Sequence, residues 1–289
     1  MLSVVIPVYN EEGAIVDTLK SVDKGLSEFP EHEIIVVNDG STDATRERIA
    51  QAGLNNLTLI NHVENLGYGK SLFDGIAVAK GEYVGIIDGD GSYPAESFKE
   101  LWRFCPEYDM VVGARRGNEY RRGFFKRTAR AIFTFLAEYA SGKKVPDVNS
   151  GQRIFRKEIV LEYRDSLCTG FSFTTTLTMI FLLNHYYVKY VPIDYRRREG
   201  KSKVRHFKDT LRAAQIIVEA FLYYNPIKLF LLLAILNSLF GVVIGLLDHF
   251  VFKTALLSLV GGICIASFAP IFCVGLLADQ LKKIYGSRK

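Results

Sequence analysis

Cysteine is scarce in this chain. Its four residues in 289 are scattered, two of them in long apolar stretches, and they form neither a disulfide framework nor a zinc spacing. The five histidines are scattered as well, so a metal here would be held by oxygen ligands. The triplet Gly69-Lys70-Ser71 lacks the glycine that a P-loop requires five residues earlier, where Glu64 stands. No G-x-G-x-x-G follows the first strand, which argues against a dinucleotide-binding enzyme. Met1-Leu2-Ser3-Val4 has no basic leader and reads as a first strand, not as a signal peptide. Internal repeats and low-complexity segments are missing too.

Apolar residues, by contrast, are plentiful: 49% of the chain, with a slightly positive mean hydropathy. The excess lies at the end. Residues 226–247 and 255–278 are nearly continuous apolar stretches. Each is long enough to cross a hydrocarbon core of about 30 Å, which takes about 20 helical residues. They are too long, and apolar on too many sides, for buried core helices. The short connection Asp248 to Lys253 predicts a hairpin with both termini on one side, and Lys282, Lys283, Arg288 and Lys289 mark that side as cytoplasmic. Asn237 and Ser238 inside the first stretch are expected to bond to the partner helix.

The net charge of +5 is modest, but the positive charge is clustered. Arg115, Arg116, Arg121, Arg122, Lys126, Arg127 and Arg130 crowd one segment. Arg196, Arg197, Arg198, Lys201, Lys203 and Arg205 crowd another. Each cluster leads into an amphipathic stretch: Phe125, Ala129, Ile132, Leu136 and Ala140 after the first, Phe207, Leu211, Ile216 and Phe221 after the second. Basic residues beside an apolar helical stripe fit a helix lying in the headgroup region of a bilayer, in preference to nucleic acid.

Along the first two hundred residues strands alternate with helices. Leu2–Val8, Ile34–Val37, Leu57–Ile60, Tyr83–Ile87 and Met110–Val112 read as strands. Ala14–Phe29, a segment opening at Ser41-Thr42-Asp43, Ser71–Ala79 and Ala95–Phe104 read as helices, with Asp43 a helix cap. Apolar strands separated by helices indicate a parallel sheet covered on both faces. Asp88-Gly89-Asp90 follows the fourth strand and precedes a turn, Gly91-Ser92-Tyr93-Pro94. Two carboxylates at the carboxyl end of a buried strand point into the crevice where open α/β sheets bind ligands. A hard divalent cation held there by one or two carboxylates completes its shell with phosphate and water.

Four motifs fall in order at strand ends: Pro7-Val8-Tyr9-Asn10-Glu11, Asn38-Asp39-Gly40-Ser41-Thr42-Asp43, Asn65-Leu66-Gly67-Tyr68-Gly69 and Asp88-Gly89-Asp90. Together they resemble the family-two glycosyltransferases of GT-A fold. Asp147-Val148-Asn149-Ser150-Gly151, Gly170-Phe171-Ser172-Phe173 and the run from Tyr195 to Lys203 resemble the polyprenyl-phosphate branch, the dolichol-phosphate mannose and glucose synthases. The resemblance covers roughly Leu2 to Lys203, and the carboxy-terminal hairpin is similar to that of membrane-anchored members. It departs from the family pattern at Ser92, where relatives often carry Gln, and at Thr174-Thr175-Thr176, where relatives often carry an acid. The Gln-x-x-Arg-Trp motif of processive synthases is missing; the one tryptophan is Trp102.

The resemblance implies a catalytic GT-A domain over 1–203 with an interface helix near 120–140, a juxtamembrane amphipathic helix over 204–225, and a hairpin over 226–289. The sheet would be Rossmann-like and mostly parallel. Pro7, Tyr9, Glu11 and Asp39 would hold the base and ribose of a nucleotide sugar, and Asp88 and Asp90 its diphosphate with Mg2+ or Mn2+. Arg115, Arg122, Arg198 and Ser202 would meet phosphate, and Asp147 would position acceptor or sugar. Asp90, Asp147, Arg115 and Arg198 are the expected catalytic set. The implied reaction moves a hexose, with inversion, to the phosphate of a polyprenyl or dolichyl lipid at the cytoplasmic face of the bilayer. A homo-oligomer is compatible with this reading. The base (guanine or uracil) and the sugar stay open. The rival readings are a transferase that extends a glycan at a hydroxyl, and a non-catalytic binding protein of the same fold.

Overall fold

In the computed structural model the described residues are 1–117, 124–164, 167, 173–196, 215, 218–219, 222 and 225–286. They fall into two compact units, residues 1–216 and 217–289.

The first unit is built on a seven-stranded sheet. Strands β1 (Leu2–Val8), β2 (His32–Asn38), β3 (Leu57–Asn61), β4 (Tyr83–Ile86), β5 (Met110–Arg116), β6 (Arg153–Arg156) and β7 (Val188–Asp194) lie in the order β3-β2-β1-β4-β6-β5-β7. All pairs are parallel except those of β6, which runs against both β4 and β5. The chain therefore builds outward from β1 to β3, then returns to the other side of β1 with β4. That change of direction is the topological switch point, where open sheets bind ligands.

The strands part at that point. β1 pairs with β2 along its whole length, Leu2↔His32 to Val8↔Asn38, but with β4 only from Leu2↔Tyr83 to Val5↔Ile86. Pro7 has no N–H to continue the ladder beyond the bond from Ile87 N to Val5 O. The ladder ends there, although Gly89 still lies against Val8 and Pro7.

Both faces of the sheet are covered, as alternation along β1 demonstrates. Leu2, Val4, Ile6 and Val8 join one core with Ile15, Leu19, Val22 and Leu26 of α1 (Ile15–Leu26) and with Phe98 and Leu101. Val5 joins the other, with Leu72 and Ile76 of α3 (Tyr68–Val78). Among the described residues the unit's other α-helices are α2 (Thr45–Gln51), α4 (Phe98–Trp102), α5 (Phe124–Ser141), α6 (Lys157–Glu162) and α7 (Phe173–Leu183). As expected, Asp43 accepts from the Thr45 amide at the start of α2 (3.0 Å).

One expectation needs correction. β5 runs on to Arg116, well beyond Val112, and β6 and β7 are further strands. In α5 a second apolar face, beside the one read from the sequence, turns to the protein. Phe133, Ala137 and Ala140 are buried, the helix packing on α7, while Ile132 and Phe135 stand 54% exposed.

The second unit holds α8 (Pro226–Leu247), α9 (Ala255–Ala266) and α10 (Phe268–Gly286). The segments Pro226–Phe252 and Ala255–Leu281 are each long and apolar enough to cross a membrane. Asn225 accepts from Lys228 N and Pro226 opens α8, where a missing N–H costs nothing. The spans touch at glycine: a Cβ on Gly241 would lie 2.6 Å from Gly261 O. Asn237 Nδ2 donates to Cys264 O (2.8 Å) and Ser267 Oγ (2.6 Å) across the helices, as expected, while Ser238 Oγ has no partner among the described residues.

Gly75 in α3 gives a test of this packing. A methyl group there would come within 2.4 Å of Val5 Cγ1 and 3.2 Å of Val37 Cγ2. Glycine to alanine in an exposed helix interior usually gains about 1 kcal/mol. Gly75→Ala is expected instead to lose about 1–2 kcal/mol, because overpacking of this kind costs more than the helix gains. Denaturant unfolding of the variant beside the parent checks it; a gain in stability would mean the helix lies farther from the sheet.

Candidate active site at the sheet edge

The registers bring one set of loops together. The carboxyl ends of β1, β2, β4, β5 and β7 and the amino end of β6 share an edge, since Ile86 and Val112 both lie opposite Arg153. Tyr9 to Glu11, Asp39, Asp88 to Ser92, Arg115, Asp147 to Gly151 and Tyr195 therefore stand along it.

The loops after β1 and β2 are tied to each other. Asn10, in a left-handed conformation (φ 52°), donates its amide to Ser41 Oγ (2.9 Å) and accepts from the Thr42 amide (2.7 Å). Glu11 N donates to Thr45 Oγ1 (2.8 Å), and the Glu11 side chain is buried. Pro7 is buried in β1 and Tyr9 is half-buried just beyond it.

Asp39 organises the loop after β3. It is 3% exposed and accepts from the amides of Leu66 and Gly67, both at 2.9 Å, while His62 Nδ1 lies 2.7 Å from its Oδ1. His62 Nε2 approaches Asp74 Oδ2 at 3.1 Å without hydrogen-bond geometry. Gly67, at φ 102°, is where the loop turns into α3.

At the end of β4, Asp90 is buried and accepts from the amide (3.0 Å) and hydroxyl of Ser92. Asp88 is half-buried and accepts from the Tyr68 hydroxyl (2.9 Å). Burial, and then the Asp88 charge, push the Tyr68 phenol well above its ordinary range, so it stays a donor. Asp88 and Asp90 offer oxygen donors only, which suits a hard divalent cation completed by phosphate and water. Among the described residues no cluster of three or more His, Cys, Asp or Glu could hold a metal unaided. The donor set fits a cation that arrives with a diphosphate.

Arg115 and Asp147, expected as separate site groups, form one ion pair. Arg115 Nε and Nη2 donate to the two Asp147 oxygens at 2.7 and 2.8 Å, and the Arg115 amide adds a third bond. Burial drives the Asp147 pKa up, but the Arg115 charge and hydrogen bonds outweigh it and hold the carboxyl below its usual value. The guanidinium also lies over the Tyr195 ring (5.5 Å), which packs edge-on against Tyr93. Tyr93 Oη in turn accepts from Gly151 N (2.7 Å).

Arg153 closes the arrangement from behind. It has no exposed surface, and its N–H groups are spent on the carbonyls of Val148, Ser150 and Thr174 and on Thr178 Oγ1. Tyr68, Tyr93, Tyr195 and Arg153 were not among the expected site residues. Only Tyr68 and Tyr195 carried a signal, as members of recognised motifs.

Of the basic clusters, Arg115, Arg116 and Arg196 are committed to Asp147, Asp194 and Glu96. Arg122, Arg198 and Ser202, expected at phosphate, lie outside the described residues, as does most of 204–225.

The fold is shared with known proteins. A low-salt glycan biosynthesis hexosyltransferase of Haloferax volcanii is 28% identical over 223 residues, 75% of this chain; the chain spans only 53% of that relative, about half its length. A dolichyl-phosphate hexose transferase of the same organism is 29% identical over 221 residues, covering 75% of this chain and 92% of the relative. Glucosyl-3-phosphoglycerate synthase from Mycobacterium tuberculosis, solved with Mn2+, UDP and glucosyl-3-phosphoglycerate, superposes with a TM-score of 0.62 at 19% identity, over 76% of this chain and 79% of that one. That likeness shows a shared GT-A fold. Residues 3–164 match the family model described as Glycosyl transferase family 2, and the chain belongs to that family.

Proposed function

We propose that this protein transfers a hexose from a nucleotide sugar to the phosphate of a membrane polyprenyl or dolichyl phosphate, inverting the anomeric centre. The observation that carries the reading is the meeting of Asp88 and Asp90 with the loops after β1 and β2 at the switch point of the sheet. The match to a dolichyl-phosphate hexose transferase over 92% of its length supports the acceptor class. The bound UDP and Mn2+ of the structural relative support a nucleotide diphosphate and a divalent ion.

In this reading Pro7, Tyr9, Glu11 and Asp39 receive the base and ribose. Asp88 and Asp90 hold Mg2+ or Mn2+ against the diphosphate, and Arg198 with Ser202 and Arg122 receives phosphate. The cation, when bound, neutralises charge developing on the leaving diphosphate. A phosphate monoester has a second pKa of about 6 and is largely dianionic at neutral pH, so it attacks without a strong base. That agrees with Asp147, whose carboxyl Arg115 holds ionised and engaged. A hydroxyl acceptor would need a well-placed base, and the missing Gln-x-x-Arg-Trp motif counts against glycan extension. Direct displacement then gives a β-linked lipid-phosphosugar from an α-linked donor. The spans 226–247 and 255–278 would anchor the protein as a multi-pass hairpin, with the catalytic unit and both termini cytoplasmic. Screening labelled nucleotide sugars with membranes and a short polyprenyl phosphate tests the activity; failure to label any lipid would sink it.

Asp90→Asn is expected to lower transfer about a hundredfold or more, the usual cost of removing a preorganised charge contact. The variant should stay folded and membrane-bound by circular dichroism and flotation. Retention of a tenth of parent activity would remove Asp90 from the diphosphate site.

The pH profile separates acceptor from base. Transfer is expected to rise through about pH 6 with ionisation of the lipid phosphate and then to level off. Because the Asp147 pKa is depressed, its pair with Arg115 is intact above the ordinary carboxylate pKa of about 3.9 and is lost only as pH falls below it. Initial rates across pH check this; an inflection above neutrality would point instead to a general base.

Truncation after Tyr223 removes both spans. The product is expected to fold, bind donor and adhere weakly to anionic vesicles, less so as salt is raised. It should transfer to a short soluble prenyl phosphate far better than to the long lipid. Equal failure with both acceptors would make the hairpin part of the active site.

A further inference from the structure

Among the described residues, two groups beside the carboxylate pair bear on Asp88. The Tyr68 hydroxyl donates to its Oδ1 at 2.9 Å. The carboxylate also lies against Gly151, where a methyl group would come within 2.6 Å of Oδ2. Neither group is free to drift. Tyr68 opens α3, and the two residues before it give their amides to Asp39, at 2.9 Å each. Gly151 gives its amide to the Tyr93 hydroxyl, and the carbonyls of Val148 and Ser150 just before it are held by Arg153. An aspartate at the end of a strand otherwise has two side-chain torsions to settle, and a ligand would have to settle them on binding.

We propose that Tyr68 is a positioning residue: through its hydrogen bond it fixes the orientation in which Asp88 meets a divalent cation carrying a nucleoside diphosphate. The inference rests on the reading above, in which Asp88 and Asp90 face that diphosphate. It also makes Asp39 do two things at once. The carboxylate beside the base subsite supports, through the loop 66–67, the residue that aims the carboxylate beside the diphosphate.

The test uses the full-length protein in detergent, with UDP and GDP as probes, titrated calorimetrically with and without Mn2+. Tyr68→Phe keeps the ring and removes only the hydroxyl. It is expected to unfold near the parent temperature and to bind the diphosphate without metal within about twofold of the parent. The gain in affinity on adding Mn2+ should fall about tenfold or more, the range seen when a group that orients a metal ligand is lost. In transfer assays the Mn2+ concentration for half-maximal rate should rise while the rate at saturating Mn2+ largely recovers. Gly151→Ala, which reaches the same carboxylate with Tyr68 intact, should show the same pattern, and Asp88→Asn should abolish the metal-dependent gain. A Tyr68→Phe protein with the parent's metal-dependent gain, beside an Asp88→Asn protein that has lost it, overturns the role of Tyr68 alone. Parent-like gains in both would overturn the assignment of Asp88 and this proposal together. Equal loss of metal-free and metal-dependent binding, with a lowered unfolding temperature, would make Tyr68 a structural residue and likewise overturn it.

Discussion

Arg153 cannot give up its proton, and it has no exposed surface from which to donate to solvent. An unmet buried N–H is costly, so each of its five has to find an oxygen. Nε and Nη2 reach Ser150 O, Nη2 also reaches Val148 O, and Nη1 reaches Thr174 O and Thr178 Oγ1. Burial pulls its pKa down, and among the described residues no carboxylate bonds to it; this ring of dipoles meets its N–H groups. The demand works in both directions. The carbonyls of 148 and 150 are fixed because the guanidinium needs them, and the loop they belong to carries Asp147 at one end and Gly151 at the other. Asp147 then holds Arg115, and Gly151 walls in Asp88.

That loop reaches the edge because β6 runs antiparallel between β4 and β5. A parallel strand in that place would have delivered its preceding loop to the opposite edge. One reversed strand thus lets a parallel framework supply both outgoing and incoming segments to the same crevice. The charges gathered there are largely partnered: Asp147 with Arg115, Asp39 with His62 and two amides, Asp90 with Ser92. Partnered charges keep their positions at little cost when a ligand arrives, which is the condition for electrostatic stabilisation of a transition state.

Much of this could be read from the chain. β1, β2 and β4 are apolar runs with turn residues behind them, and the carboxylates after β4 could be recognised by position alone. The cap at Asp43 and the bond from Asn237 to the neighbouring helix followed from local rules. β6 could not be read so easily: Arg153-Ile154-Phe155-Arg156 is four residues long and bounded by two charges, and nothing local says that the first arginine is fully buried while the second reaches the surface. β7 holds Lys189, Pro192 and Asp194, tolerable because it is an edge strand with one neighbour. Arg115 and Asp147 were each visible, but their pairing spans 32 residues and depends on where β6 runs. The same holds for Tyr68 and Asp88, 20 residues apart and joined only by the fold. In α5 the helical period was legible, but which face turns inward is decided by the packing of α7.

The placement of β6 also bears on how the protein is made. During synthesis β1 to β4 can pair as soon as they emerge, but one side of β4 stays bare until Arg153 to Arg156 follow, and β5 cannot join the sheet before then. For some seventy residues of growth the nascent chain carries an open, apolar strand edge, the kind of surface that pairs with other chains. A ribosome that stalls within this interval leaves a product prone to aggregate, whereas one that stalls after β7 leaves β4 paired on both sides.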